Sequence, residues 1–230
     1  MRRVGFLGVL VAAALVGTPM QAARADDGLT YNHFVAFEQA VADDVDSFWA
    51  SWSREHSAPY HSARLVLAPQ GRSRNSACGV AVADPVDGAD DASPAFYCPR
   101  DDTVYMSAGW LYRVIYRNFG DLAAAVALAH EWSHHVQRLH KLHPPTVEIA
   151  ELQADCWAGV WAHDAGDRGL LDAGDLAGAG QALYALGDYD YRSPDHHGTP
   201  RQRERELSVG YRNGDPARCD LPQPRRRTKD

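Results

Sequence analysis

Five residues constrain this chain more than any others: His130-Glu131-Trp132-Ser133-His134, closing an alanine-rich run that begins at Asp121. No Gly or Pro interrupts that run, and its alanines favour helix strongly. Positions four apart share a helix face, so His130 and His134 aim two imidazoles at one point. Two nitrogens on neighbouring turns suit a zinc ion. Glu131, at the edge of the same face, is placed to take a proton from water at the metal.

The third ligand decides which kind of zinc site this is. His140 stands where the longer pattern H-E-x-x-H-x-x-G-x-x-H would put a third histidine, but that pattern needs a glycine to turn the chain back. Gln137 occupies the glycine position. On a continuing helix His140 would lie roughly 240° around from His134 and about 9 Å along the axis, facing away. That pattern's methionine turn is missing too, because the only methionines are Met1, Met20 and Met106. Glu151, in Glu151-Leu152-Gln153-Ala154-Asp155, is the better candidate. Pro144-Pro145 are expected to stop the first helix, and Thr146 to cap a second running to about His163. Glu151 and Asp155 then share a face. Glu151 completes a His, His, Glu triad with an open position for water. Asp155 holds the far nitrogen of a ligand histidine.

Together these residues resemble the bacterial neutral zinc metallopeptidase family. The likeness lies in residues 130–137 and in Glu151-Leu152-Gln153-Ala154-Asp155-Cys156-Trp157-Ala158-Gly159-Val160-Trp161-Ala162. It extends to Cys98-Pro99-Arg100-Asp101-Asp102-Thr103-Val104-Tyr105, to His197-Gly198-Thr199 with Gln202-Arg203, and to Gly214-Asp215. The resemblance spans roughly residues 75 to 220 and implies a peptidase. The chain departs from the family at Ser133, where Gly is usual and the extra atoms would narrow the space beside the metal. It departs again over residues 191–196, in the segment expected to face substrate.

Before the motif, Met1-Arg2-Arg3, an apolar run from Val4 to Thr18 and Ala23-Arg24-Ala25 read as a secretory signal peptide over residues 1–25, too short for a comfortable membrane span. No cysteine lies near the expected cleavage point, which excludes a lipid anchor there. Residues 1–25 carry three arginines and no acid, so the remainder sets 20 basic residues against 30 acidic ones. That balance argues against nucleic acid or an anionic membrane as partner. Arg225-Arg226-Arg227 read as part of a disordered tail, 222–230, leaving one domain over 26–221. An even cysteine count in an exported chain implies two disulfides. Cys78, Cys98, Cys156 and Cys219 allow three connectivities, of which Cys78–Cys98 with Cys156–Cys219 is the expected one.

Apolar residues from Phe34 to Trp52 recur at helical spacing and predict an amphipathic helix over residues 31–56. Ala63 to Leu67 reads as a short strand, and residues 69–94 as loop. Residues 95–98 and 103–106 read as a strand pair, with Thr103 to Met106 a candidate edge for pairing an extended substrate. A helix is expected over 108–117, another capped by Asp175 through Leu186, and a last one from the capping box Thr199-Pro200-Arg201-Gln202 to Asn213. The expectation is therefore an α+β, mostly helical, zincin-like domain with a small antiparallel sheet beside the metal helix. The function expected is a secreted zinc metallopeptidase acting on protein or peptide substrates. His130, His134 and Glu151 would bind zinc, with Glu131 as general base. His197, in an irregular segment with Tyr189, Tyr191 and His196, would donate to the developing oxyanion. Its rivals are a secreted zinc-binding interaction or inhibitory module without catalysis, and a zinc-dependent cell-wall amidase.

Overall fold

Helix α1 (Tyr31–Glu55) forms where the apolar spacing predicts it, with the Thr30 hydroxyl accepting the His33 N–H at its start. Its stripe of Phe34, Val41, Ala42, Val45 and Trp49 is buried. A computed structural model describes residues 29–84, 92–193 and 195–219. The expected signal peptide and basic tail lie outside the described residues.

Six short strands follow: β1 (Arg64–Ala68), β2 (Arg74–Asn75), β3 (Ala81–Val82), β4 (Ala92–Ser93), β5 (Ala95–Cys98) and β6 (Thr103–Ser107). The segment expected as pure loop thus contributes β2, β3 and β4, in a minor sheet of that order. The larger sheet has the order β1-β6-β5. β5 and β6 form the expected antiparallel pair, but β1 joins β6 in parallel, so this sheet is mixed rather than antiparallel throughout. Parallel partners come from distant sequence and leave no turn signal between them. The arrangement also corrects the edge assignment. β6 is paired on both sides and buried along its length, so β5 is the edge strand beside the helices.

The next helical stretch runs through α2 (Ala108–Trp110), a π-helical segment (Leu111–Tyr116) and α3 (Arg117–Phe119), and ends at Gly120. Helix α4 (Asp121–Leu139) then packs against α1, both strands of the β5–β6 hairpin and two later helices, α5 (Val147–Asp167) and α6 (Asp175–Leu186). Residues 122–130 are all buried. A helix enclosed on every side needs small side chains to let its neighbours close in, which is what the alanines supply. It ends five residues before Pro144. Lys141 adopts φ 54°, its N–H bonds Arg138 O, and the Leu142 N–H bonds Gln137 O, each at 3.0 Å. This is a Schellman closure with lysine where glycine is usual.

Thr146 caps α5 as expected, accepting the Ile149 N–H at 3.2 Å. Gly174, not Asp175, is the N-cap of α6. The Asp175 carboxylate instead accepts the Asp172 N–H at 2.6 Å. The capping box at Thr199 starts α7 (Pro200–Asn213), and Gly214 closes it. α5 and α7 meet backbone to backbone. A methyl at Gly159 would overlap Leu207 O, and one at Gly210 would overlap Cys156 O. Both disulfides pair as expected, Cys78 with Cys98 and Cys156 with Cys219. The second ties α5 to the turn after α7.

A carboxylate interrupts the apolar stripe of α1. Glu38 on α1 is fully buried, with no hydrogen-bond partner for either carboxylate oxygen, and burial raises its pKa from 4.5 to about 8. The folded state therefore favours the protonated form. That preference costs nothing below pH about 4.5 and is progressively lost as pH rises through about 8. We expect Glu38→Met to raise the melting temperature increasingly from pH 5 to pH 8, with a stability gain of about 4 kcal/mol at the upper end. Parallel melting curves that keep a constant gap across that range would contradict it.

Candidate metal centre

Because residues four apart on α4 share a face, His130 and His134 stand one above the other, with rings 4.9 Å apart. α5 crosses beside them and brings Glu151 to the same point. His130 Nε2 is 3.1 Å from Glu151 Oε2, and His134 Nε2 is 3.3 Å from Glu151 Oε1. The two Nε2 atoms are themselves 3.3 Å apart. Donors about 2.0–2.1 Å from a tetrahedral zinc stand about 3.3–3.4 Å from one another. The three donors fit such an ion.

The far side of each imidazole is already committed. His130 Nδ1 lies 2.8 Å from Asp155 Oδ1, as the E-x-x-x-D spacing predicted. His134 Nδ1 donates to Gln137 Oε1 at 2.9 Å. Gln137 is held in turn, since its amide donates to Ala150 O and Gln153 Oε1 across to α5. With each ring proton on Nδ1, both Nε2 atoms would present lone pairs to each other and to a carboxylate. Such a cluster calls for positive charge at its centre.

The ionisation balance says the same. Burial opposes charge on His130, but Asp155 and then Glu151 outweigh it and push its pKa up to about 10. Burial likewise opposes charge on His134, yet Glu151 raises its pKa. Burial would raise Glu151, but hydrogen bonds and charge from the two histidines hold it well below the usual carboxylate range.

Arg203 on α7 completes the layer behind the centre. It grips Asp155 with two parallel bonds, Nε to Oδ2 at 2.8 Å and Nη2 to Oδ1 at 2.9 Å. In the sequence, Gln137 and Arg203 stand out only as parts of the family-like segments 130–137 and Gln202-Arg203, with no role implied for either. The i, i+3 spacing of Gln137 from His134 was a readable signal. No local spacing relates Arg203 to Asp155.

The three donors lie in a cleft of about 610 Å³. Glu131, Trp110, His197 and the segment from Ser93 to Tyr97 also line it. Burial raises the Glu131 pKa, with the charges of His130 and His134 opposing. Of the four residues considered as a late donor, only His197 lines the cleft. Its side chain is half exposed, and the Asp188 carboxylate accepts its backbone N–H at 3.1 Å. His196 is buried and bonds Asp188 through Nδ1, while Tyr189 and Tyr191 point to solvent. Gly198 has φ 98°, and a side chain there would press on Leu152, so a tight turn follows His197. His140 packs between Trp52 and Trp157, away from the centre. The Ser133 hydroxyl folds back onto Ala129 O at 2.8 Å and stays outside the cleft.

A second cluster, His61, Asp102 and His135, also gathers ligand-type residues, but its groups already bond one another. Asp102 is 2.7 Å from His61 Nε2 and 2.8 Å from His135 Nδ1, the lengths of direct hydrogen bonds. His135 Nε2 donates to His61 O at 2.7 Å, and the Tyr97 hydroxyl donates to Asp102 at 2.7 Å. This cluster is a polar strut between α4 and the β5–β6 turn.

The sequence profile described as "Putative neutral zinc metallopeptidase" matches residues 8–150 and 141–221. The uncharacterized protein YpfJ of Escherichia coli K12 is 30% identical over 245 residues, covering 94% of this chain and 82% of its own. The uncharacterized protein Rv2575 of Mycobacterium tuberculosis H37Rv is 30% identical over 227 residues, covering 84% of this chain and 72% of its own. No solved structure matches. The converging donors and the profile agree, and the chain belongs to the neutral zinc metallopeptidase family.

Proposed function

We propose that this chain is an extracytoplasmic zinc-dependent peptidase that hydrolyses peptide bonds within its cleft. The observation that carries the reading is Glu131, a carboxylate beside the His130, His134 and Glu151 donors that is not one of them, in a cleft open to substrate. A site built only to hold a metal needs no such base, which disfavours a non-catalytic module. Zinc bound there supplies Lewis-acid polarisation of a peptide carbonyl and lowers the pKa of its water.

The remaining work falls to the protein's own groups. Glu131 takes the proton of the attacking water and returns it to the leaving amide nitrogen. Asp155 and Gln137 hold the two imidazoles by Nδ1, so that Nε2 of each faces Glu151 and would be free to ligate zinc. β5 offers its outer edge to an extended substrate, since its inner edge is occupied by β6. His197, held through Asp188, donates to the carbonyl oxygen as negative charge builds there. Two disulfides support export to an oxidising compartment. No helix among the described residues is long and apolar enough to cross a membrane.

Substitutions separate these roles. Glu131→Gln should keep stoichiometric zinc and lose most peptide hydrolysis; wild-type turnover by that variant would sink the mechanism. Glu151→Ala should lose zinc. Asp155→Asn should lower the melting temperature, because it leaves the buried Arg203 charge uncompensated, and should weaken metal affinity or activity of the folded protein by about 10- to 100-fold. For His197→Ala, we expect full zinc and an unchanged melting temperature, with kcat down by about 10²–10³. If melting temperature falls while kcat of the folded protein stays normal, His197 only braces its loop.

A further inference from the structure

The cleft has a neighbour of different chemistry. β5 borders the cleft from Ala95 to Tyr97, and Tyr97 also borders a second hollow of about 400 Å³. Arg138 from α4 and Lys141 from the turn after it line that hollow. Arg138 follows His134 by four residues, so the two share one side of α4. It stands about 9 Å along the axis from the midpoint of His130 and His134. An extended chain, at about 3.3 Å per residue, covers that distance in two to three residues. A substrate paired along the outer edge of β5, with a carbonyl over the donors, therefore brings its second or third residue beside these cations.

Both cations are exposed, and neither has a carboxylate partner among the described residues. Asp102 is the only carboxylate among the described residues lining the hollow. It already takes bonds from His61, His135 and the Tyr97 hydroxyl. Burial and then Asp102 raise the Tyr97 pKa, while the Arg138 charge opposes them, so that charge acts across the same space. Two unpaired cations at one concave surface leave it positive, and an anion is what such a surface attracts.

We propose that this hollow is a subsite for an acidic side chain, aspartate or glutamate, two or three residues from the scissile bond, with Arg138 and Lys141 determining that specificity. The proposal rests on the peptidase reading and names a substrate class for that same site. Exposed ion pairs contribute modestly, so two of them amount to about a 5- to 20-fold preference for glutamate over glutamine, reduced as salt screens it.

The test uses binding to zinc-loaded Glu131→Gln protein, so that it does not depend on turnover. Peptide hydroxamates fix the register, because the hydroxamate group ligates zinc. One series carries its peptide on the N-terminal side of that group and a second on the C-terminal side. Each has glutamate, glutamine or lysine at the second or third residue, and affinities are measured by calorimetry. In one series glutamate should bind about 5- to 20-fold tighter than glutamine, and lysine weaker than both, with the gap narrowing at high salt. Arg138→Gln combined with Lys141→Asn should erase the gap while zinc content, melting temperature and affinity for the glutamine compound hold. Asparagine suits residue 141, whose φ is 54°. Equal affinities for glutamate and glutamine in both series, or a glutamate advantage that survives the double substitution, overturn the subsite and leave the peptidase reading intact. Protein that takes up no zinc, or binds none of the compounds, overturns that reading first and the subsite with it.

Discussion

The Asp155 carboxylate is the contact on which the rest of the centre depends. It is fully buried, with His130 on one side and Arg203 on the other, and so joins α4, α5 and α7. Burial alone would favour its neutral form, but Arg203 and His130 hold its pKa below the ordinary value. A buried charge of this kind is tolerated only when both flanks are paired, and removing either partner strands the others. The same group that orients a candidate ligand therefore also links three helices through paired charges.

Two polar clusters on α4 show how spacing separates chemistry from scaffolding. His130 and His134 meet Glu151 at separations that leave space for an ion. One residue on, and turned about 100° around the helix, His135 meets Asp102 directly and is fully occupied. Asp102 also takes the Tyr97 hydroxyl, so this strut steadies β5, a strand that lines the cleft. One helix thus carries the candidate metal face and the brace for the candidate substrate edge on adjacent residues.

Much of this was legible in the sequence because it rests on local periodicity. The four-residue spacing on α4 and again between Glu151 and Asp155 fixed which side chains share a face. Thr146 and the box at Thr199 marked helix starts by side chains that satisfy free backbone N–H groups. What escaped was non-local or lacked its usual residue. Lys141 closes α4 in a conformation normally signalled by glycine, so the two prolines drew the boundary too late. β1 joins β6 from far along the chain, which made β6 central and moved the free edge to β5. Arg203 reaches Asp155 only because α5 and α7 are brought together in space.

That last approach has its own consequence. Gly159 and Gly210 let the two backbones touch, so hard-sphere contact, not side-chain packing or charge, sets how far α7 stands from α5 and where along it α7 rests. The two helices behave as a notched joint. Loss of the Arg203 charge would change the electrostatic surroundings of Asp155 and leave the position of α7 in place. A methyl group at either notch would do the opposite, shifting Arg203 away from its partner with every charge in the protein unchanged. Position and charge, which most buried ion pairs tie together, are here under the control of different residues.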